Sequence, residues 1–112
     1  MNAQCRLATY GTLGPGRSNY HQLSSLTGEW LRGSVRGDLY EDGWGAAQGF
    51  PGLVLNPAGK PVVVDLFLSN DLPDHWDRLD AFEGEEYHRV VAEVSTPDGV
   101  VEACIYVLAS SK

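Results

Sequence analysis

Apolar and polar residues alternate with a period of two over several short stretches of this chain, and most of these stretches run into glycine, proline or Asx residues. Such alternation marks strands with one face buried, and the punctuation marks turns. The pattern predicts strands over 5–10, 29–40, 53–55, 62–68, 87–95 and 100–108. The last two flank Pro97-Asp98-Gly99 and should form a hairpin, because this tripeptide carries the backbone preferences of a tight turn. One longer stretch has helical spacing, over 71–82, with Asn70 or Asp71 as N-cap, Pro73 in the first turn and Gly84 just past the end. Its predicted apolar face is Leu72, Trp76, Leu79 and Phe82. A shorter helix is expected from Ser18 or Asn19 to about Leu26. Short strands, one real helix and frequent glycine turns predict an α+β domain with a curled or closed mixed sheet.

Composition narrows the class. The chain has 112 residues, 43% of them apolar and 10% aromatic, enough for one core, and it reads as a single domain over 1–112. Fifteen acids against eight bases give a net charge of −7. That balance argues against nucleic acid and anionic membrane surfaces, which need clustered Lys and Arg. No apolar run approaches the roughly 18 residues of a membrane span, and the first residues lack a signal-peptide pattern, so a cytoplasmic chain is expected. Cys5 and Cys104 sit among strand residues and read as reduced, packed thiols. His21, His75 and His88 stand at no ligand spacing, so no metal and no cofactor is expected.

The helix carries the first candidate chemistry. Asp71, Asp74, Asp77, Asp80 and Glu83 recur at every third position, and at about 100° per residue they drift around the cylinder instead of forming one stripe. Taking Leu72 as zero, Asp74 and Asp77 fall at roughly 200° and 140°, whereas Glu83 falls at about 20°, on the apolar side. A carboxylate facing apolar surroundings at a helix C-terminus is costly to ionise, and its pKa rises towards that of a general base working near neutrality. A last turn that frays at Gly84 would instead leave Glu83 in water with Glu85 and Glu86.

The loop Tyr10-Gly11-Thr12-Leu13-Gly14-Pro15-Gly16 is too glycine-rich to continue a strand. Glycines there leave backbone N–H groups open to an anion or a developing oxyanion, and an ordinary structural turn is the alternative. The spacing matches neither a dinucleotide fingerprint nor a Walker loop. Trp30, Trp44 and Trp76 read as core or pocket walls.

Three motifs then come together: Tyr10-Gly11-Thr12-Leu13 with Gly16 and Asn19; Gly37-Asp38-Leu39-Tyr40 with Gly43 and Phe50-Pro51; and Leu79-Asp80-Ala81-Phe82-Glu83-Gly84 with Tyr87 and Arg89. In this order the sequence resembles the gamma-glutamylcyclotransferase-like family over nearly its whole length. The resemblance implies a small mixed β-barrel with flanking helices. It also implies a reaction, in which the α-amine of a gamma-glutamyl amine or amide attacks its own γ-carbonyl, giving 5-oxoproline and a free amine. The implied partner is thus a small-molecule gamma-glutamyl substrate.

By that resemblance the catalytic acid and base is Glu83, the substrate-holding loop is Tyr10, Gly11, Thr12 and Leu13, and Tyr87 offers a pocket hydroxyl. Arg89 is left with two roles, pairing with the substrate carboxylate or forming a structural salt bridge. A non-catalytic small-molecule binding module of the same fold is the alternative function.

Overall fold

A computed structural model of the protein describes residues 2–11, 13–16, 20–40, 52–85 and 87–108. Thr12, Ser18, Asn19, Gly43, Trp44, Phe50 and Pro51 therefore lie outside the described residues.

The chain enters through a 3-10 turn, Ala3–Cys5, capped by the Asn2 side chain, which accepts from the Gln4 N–H at 3.0 Å. Strand β1 follows at Arg6–Thr9, then β2 at Glu29–Tyr40, β3 at Gly52–Leu55 and β4 at Lys60–Leu68. Helix α1 spans Trp76–Glu83, and the hairpin of β5, Tyr87–Thr96, and β6, Gly99–Leu108, ends the described chain. Its turn is as expected: Thr96 pairs with Gly99 across Pro97 and Asp98, and Gly99 takes φ 121°, a backbone conformation open to glycine.

The strands lie in the order β3-β2-β4-β1-β6-β5, and Ser34 of β2 pairs with Ser95 of β5. That last pairing closes β2, β4, β1, β6 and β5 into a five-stranded barrel, and β3 pairs with β2 alone. The β1–β6 contact is parallel and the other pairings are antiparallel, so the barrel is mixed as expected.

Two apolar clusters explain why β6 is buried over four consecutive residues. Ala103 and Ile105 face the barrel interior with Ala8, Val35, Leu53, Val64, Leu66 and Val94. Cys104 and Tyr106 face outwards, where Leu72, Trp76 and Leu79 cover them together with Leu7, Leu13, Leu23, Leu26 and Phe67. A strand covered on both faces reads as a continuous apolar run instead of an alternation, and Ala103-Cys104-Ile105-Tyr106 is such a run. Cys5 and Cys104 are free thiols, Cys104 buried and Cys5 half-buried.

The helices depart from expectation in three ways. The segment over 71–82 is not one helix: Leu72–Asp74 is a 3-10 turn, and α1 starts only at Trp76, after His75. Asp71 caps nothing with its side chain and instead accepts from the Thr27 N–H at 2.8 Å, tying the loop before β2 to the helix entry. Buried Ser69 completes this tie, donating to the Thr27 carbonyl at 2.6 Å and accepting from the Asp71 N–H at 3.1 Å.

Second, Phe82 is 38% exposed and does not belong to the buried face. Counted from Trp76, it lies about 120° round the cylinder, whereas Leu79 lies about 60° away. Third, in the described part of the short helix expected through Leu26, residues 20–26 form a 3-10 turn, Tyr20–Gln22, followed by turns. There Leu23 and Leu26 bond three residues back, and the Ser24 hydroxyl donates to the His21 carbonyl, competing with helical pairing.

Candidate active site

Glu83 is the last residue of α1. The Gly84 N–H donates to the Asp80 carbonyl at 3.0 Å, so the final turn closes around Glu83 without fraying, and Gly84 leaves the helix at φ 82°. At about 20° from Trp76, Glu83 shares the buried side of the helix. It is half-buried, and desolvation raises its pKa from 4.5 to about 7. A carboxylate poised there can both accept and return a proton near neutral pH.

The strand end that precedes the glycine loop is firmly held. The Tyr10 hydroxyl donates to the Tyr106 carbonyl at 2.6 Å and accepts from the Leu53 N–H at 3.1 Å, joining the end of β1 to β6 and β3. Burial raises the Tyr10 pKa, the Leu53 N–H lowers it, and the nearby Tyr87 and Glu83 raise it further. The phenol therefore stays neutral. Glu83 and Tyr87 thus lie within electrostatic reach of the Tyr10 phenol. Gly11 is half-buried, whereas Leu13 is 5% exposed and its side chain is part of the outer core with Leu23 and Leu26. Leu13 thus anchors the loop with its side chain and has only its backbone to present. Thr12 lies outside the described residues.

Arg89 resolves in favour of the structural role. Its Nε and Nη2 donate to Asp80 Oδ1 and Oδ2 at 3.0 and 3.2 Å, a fork-like pair. Nη1 donates to Gln4 Oε1 at 3.1 Å, and the guanidinium lies 4.4 Å from the Trp76 ring centroid. Trp76 Nε1 in turn donates to the Gln4 carbonyl at 2.9 Å.

Sequence reasoning missed the other half of this network. The Tyr106 hydroxyl donates to Asp80 Oδ1 at 2.6 Å, and burial first, then Asp80, raises its pKa. The sequence signal was a bulky Tyr within an apolar strand run; its partner depends on how β6 packs against α1. Among the described residues, no group of three His, Cys, Asp or Glu side chains could hold a metal ion. Nor is any described helix long and apolar enough to cross a membrane.

The described residues form a closed mixed barrel with one α-helix against its outer face, the architecture of a known class of protein, the AIG2-like fold. Mouse AIG2-like protein superposes with a TM-score of 0.73 at 21% identity, over 96% of this chain and 79% of that one. A protein from Arabidopsis thaliana gives 0.70 at 21% identity, over 96% and 70%. YkqA from Bacillus subtilis gives 0.73 at 26% identity over the whole of this chain, which spans only 38% of the YkqA chain. The chain belongs to the gamma-glutamyl cyclotransferase, AIG2-like family, whose model matches residues 7–112. A comparison with curated proteins gives no significant match.

Proposed function

We propose that the protein is a cyclotransferase that converts a small gamma-glutamyl amine or amide to 5-oxoproline and a free amine, with Glu83 as general base and acid. The observation that carries this reading is the half-buried carboxylate of Glu83, raised by desolvation to about 7 at the closed end of α1. Family membership supplies the substrate class.

The substrate's α-ammonium must lose a proton before its nitrogen can attack. Glu83 takes that proton, and the nitrogen forms a bond to the γ-carbonyl carbon. Negative charge develops on the carbonyl oxygen, and the backbone N–H groups of the loop through Gly11, Thr12 and Leu13 are placed in this reading as its donors. The C–N bond to the departing amine then breaks as Glu83 returns the proton to that nitrogen, and the second surplus proton of the cyclised nitrogen passes through the same carboxylate to the released amine, which leaves as an ammonium. Overall two protons leave the α-nitrogen and two reach the leaving nitrogen, so the balance closes without water. Because the attack is intramolecular, the main task of the pocket is to fold the substrate.

Tyr10 contributes through its ring and its anchoring. Its one O–H proton is already given to Tyr106, so it can accept a further hydrogen bond but not donate one. Tyr87, within electrostatic reach of Tyr10, is assigned in this proposal to the pocket wall.

Incubation of the wild-type protein with a panel of gamma-glutamyl amines and peptides, scored for 5-oxoproline and for released amine, tests the reading. Equal amounts of the two products, with no free glutamate, are expected. Bound ligand without either product would leave a binding module, and glutamate would mean hydrolysis.

A further inference from the structure

Asp80 stands where two constraints on Glu83 meet. Its carbonyl accepts the Gly84 N–H and closes the last helical turn, while its carboxylate accepts from Arg89 on β5 at 3.0 and 3.2 Å and from Tyr106 on β6 at 2.6 Å. One residue thus fixes the turn along the helix and, at the same time, ties it to the barrel wall. Arg89 is held in turn by Gln4 at 3.1 Å and by the Trp76 ring at 4.4 Å. Asp80 also leads Glu83 by three residues, about 60° round the cylinder, so displacing one displaces the other.

We propose that Asp80 is a positioning residue for the cyclisation, clamping the end of α1 to β5 and β6 through Arg89 and Tyr106 so that the Glu83 carboxylate keeps its half-buried place. This rests on the cyclotransferase reading for its effect on rate, but not for its effect on Glu83 itself. Asp80 touches no substrate in this account. With the clamp released, the last turn is free to move towards water, where Glu83 ionises as an ordinary carboxylate and no longer aligns with the α-nitrogen.

Two variants separate position from charge. Asp80→Asn removes the ionic clamp and leaves the Arg89 charge unbalanced. Tyr106→Phe keeps both charges and the ring, and loses only the 2.6 Å bond. The readout is the titration of Glu83 in carbon-13 glutamate-labelled protein, with its resonance assigned by loss in Glu83→Gln, alongside kcat and KM for 5-oxoproline formation. The wild-type carboxylate should titrate near 7. In both variants the midpoint should fall towards the ordinary range near 4.5, further in Asp80→Asn, while the spectra remain those of a folded protein. For Asp80→Asn, kcat should drop about tenfold or more with KM little changed.

A role confined to stability would lower the melting temperature and leave the midpoint in place, which overturns the proposal. A shift in Asp80→Asn with none in Tyr106→Phe also overturns it, because the effect would then be charge alone. If Asp80→Asn does not fold, Tyr106→Phe decides. Should the wild type make no 5-oxoproline, the cyclotransferase reading fails, and the midpoints still judge the clamp.

Discussion

The Tyr10 hydroxyl donates to the Tyr106 carbonyl at 2.6 Å, fastening the mouth of the glycine loop to the same strand that carries the Asp80 clamp. The Leu53 N–H completes the tie at 3.1 Å. Tyr10→Phe removes both of these part-buried bonds, at a cost of about 1–3 kcal/mol. Urea unfolding of the variant should show this as a lower midpoint with an unchanged slope.

The phase of α1 sets a contrast between two apolar residues three apart. Leu79 is fully buried in the outer core, whereas Phe82 is 38% exposed. Leu79→Ala should cost about 2–5 kcal/mol by opening a cavity under the helix. Phe82→Ala should cost less than about 1 kcal/mol. Thermal or denaturant unfolding checks the pair, and equal losses would mean that the helix is rotated from the orientation described.

Gly37 belongs to a motif within β2, and its reason is steric. A Cβ there would lie 2.5 Å from the Val54 carbonyl oxygen on β3 and 3.1 Å from a Leu53 methyl. Backbone cannot yield as a side-chain tip can, so Gly37→Ala should destabilise by about 1–3 kcal/mol. Because Leu53 also bonds Tyr10, the strain should reach the glycine loop.

Glu83 makes stability depend on pH. In the unfolded chain it ionises near 4.5 and in the folded protein near 7. Between those values the folded state holds more protons than the unfolded one, so stability falls as pH rises from about 4.5 to about 7 and then levels. The shift corresponds to about 3 kcal/mol, which partial access of water reduces to roughly 2. Glu83→Gln lacks this slope. Its stability relative to wild type should therefore be more favourable at pH 8 than at pH 4.5 by that amount, measured by urea unfolding at the two values.

Much of this arrangement was legible in the chain. The alternation over 29–40 matched β2, Glu29–Tyr40, and the Pro97-Asp98-Gly99 turn delivered its hairpin, because both signals are local. The helical count turned Glu83 inwards for the same reason. Of the two cap candidates, Asn70 and Asp71, Asp71 takes the N-cap position of the 3-10 turn, but its side chain accepts from the Thr27 N–H, 44 residues away, and no local pattern announces such a bond. Tyr106 escaped notice for a similar reason: a strand residue bonded to a helix carboxylate depends on how β6 and α1 pack. Arg89 could be narrowed to two roles and no further, since only its geometry to Asp80 separates a structural pair from a substrate ligand.

The most direct measurement is the pH dependence of kcat/KM for 5-oxoproline formation by the wild type and by Glu83→Gln. The account predicts a wild-type acid limb that falls about tenfold per pH unit below an inflection near 7, and a variant slowed by at least about a hundredfold across the range. A Glu83→Gln variant that keeps both the wild-type rate and the same acid limb would contradict it.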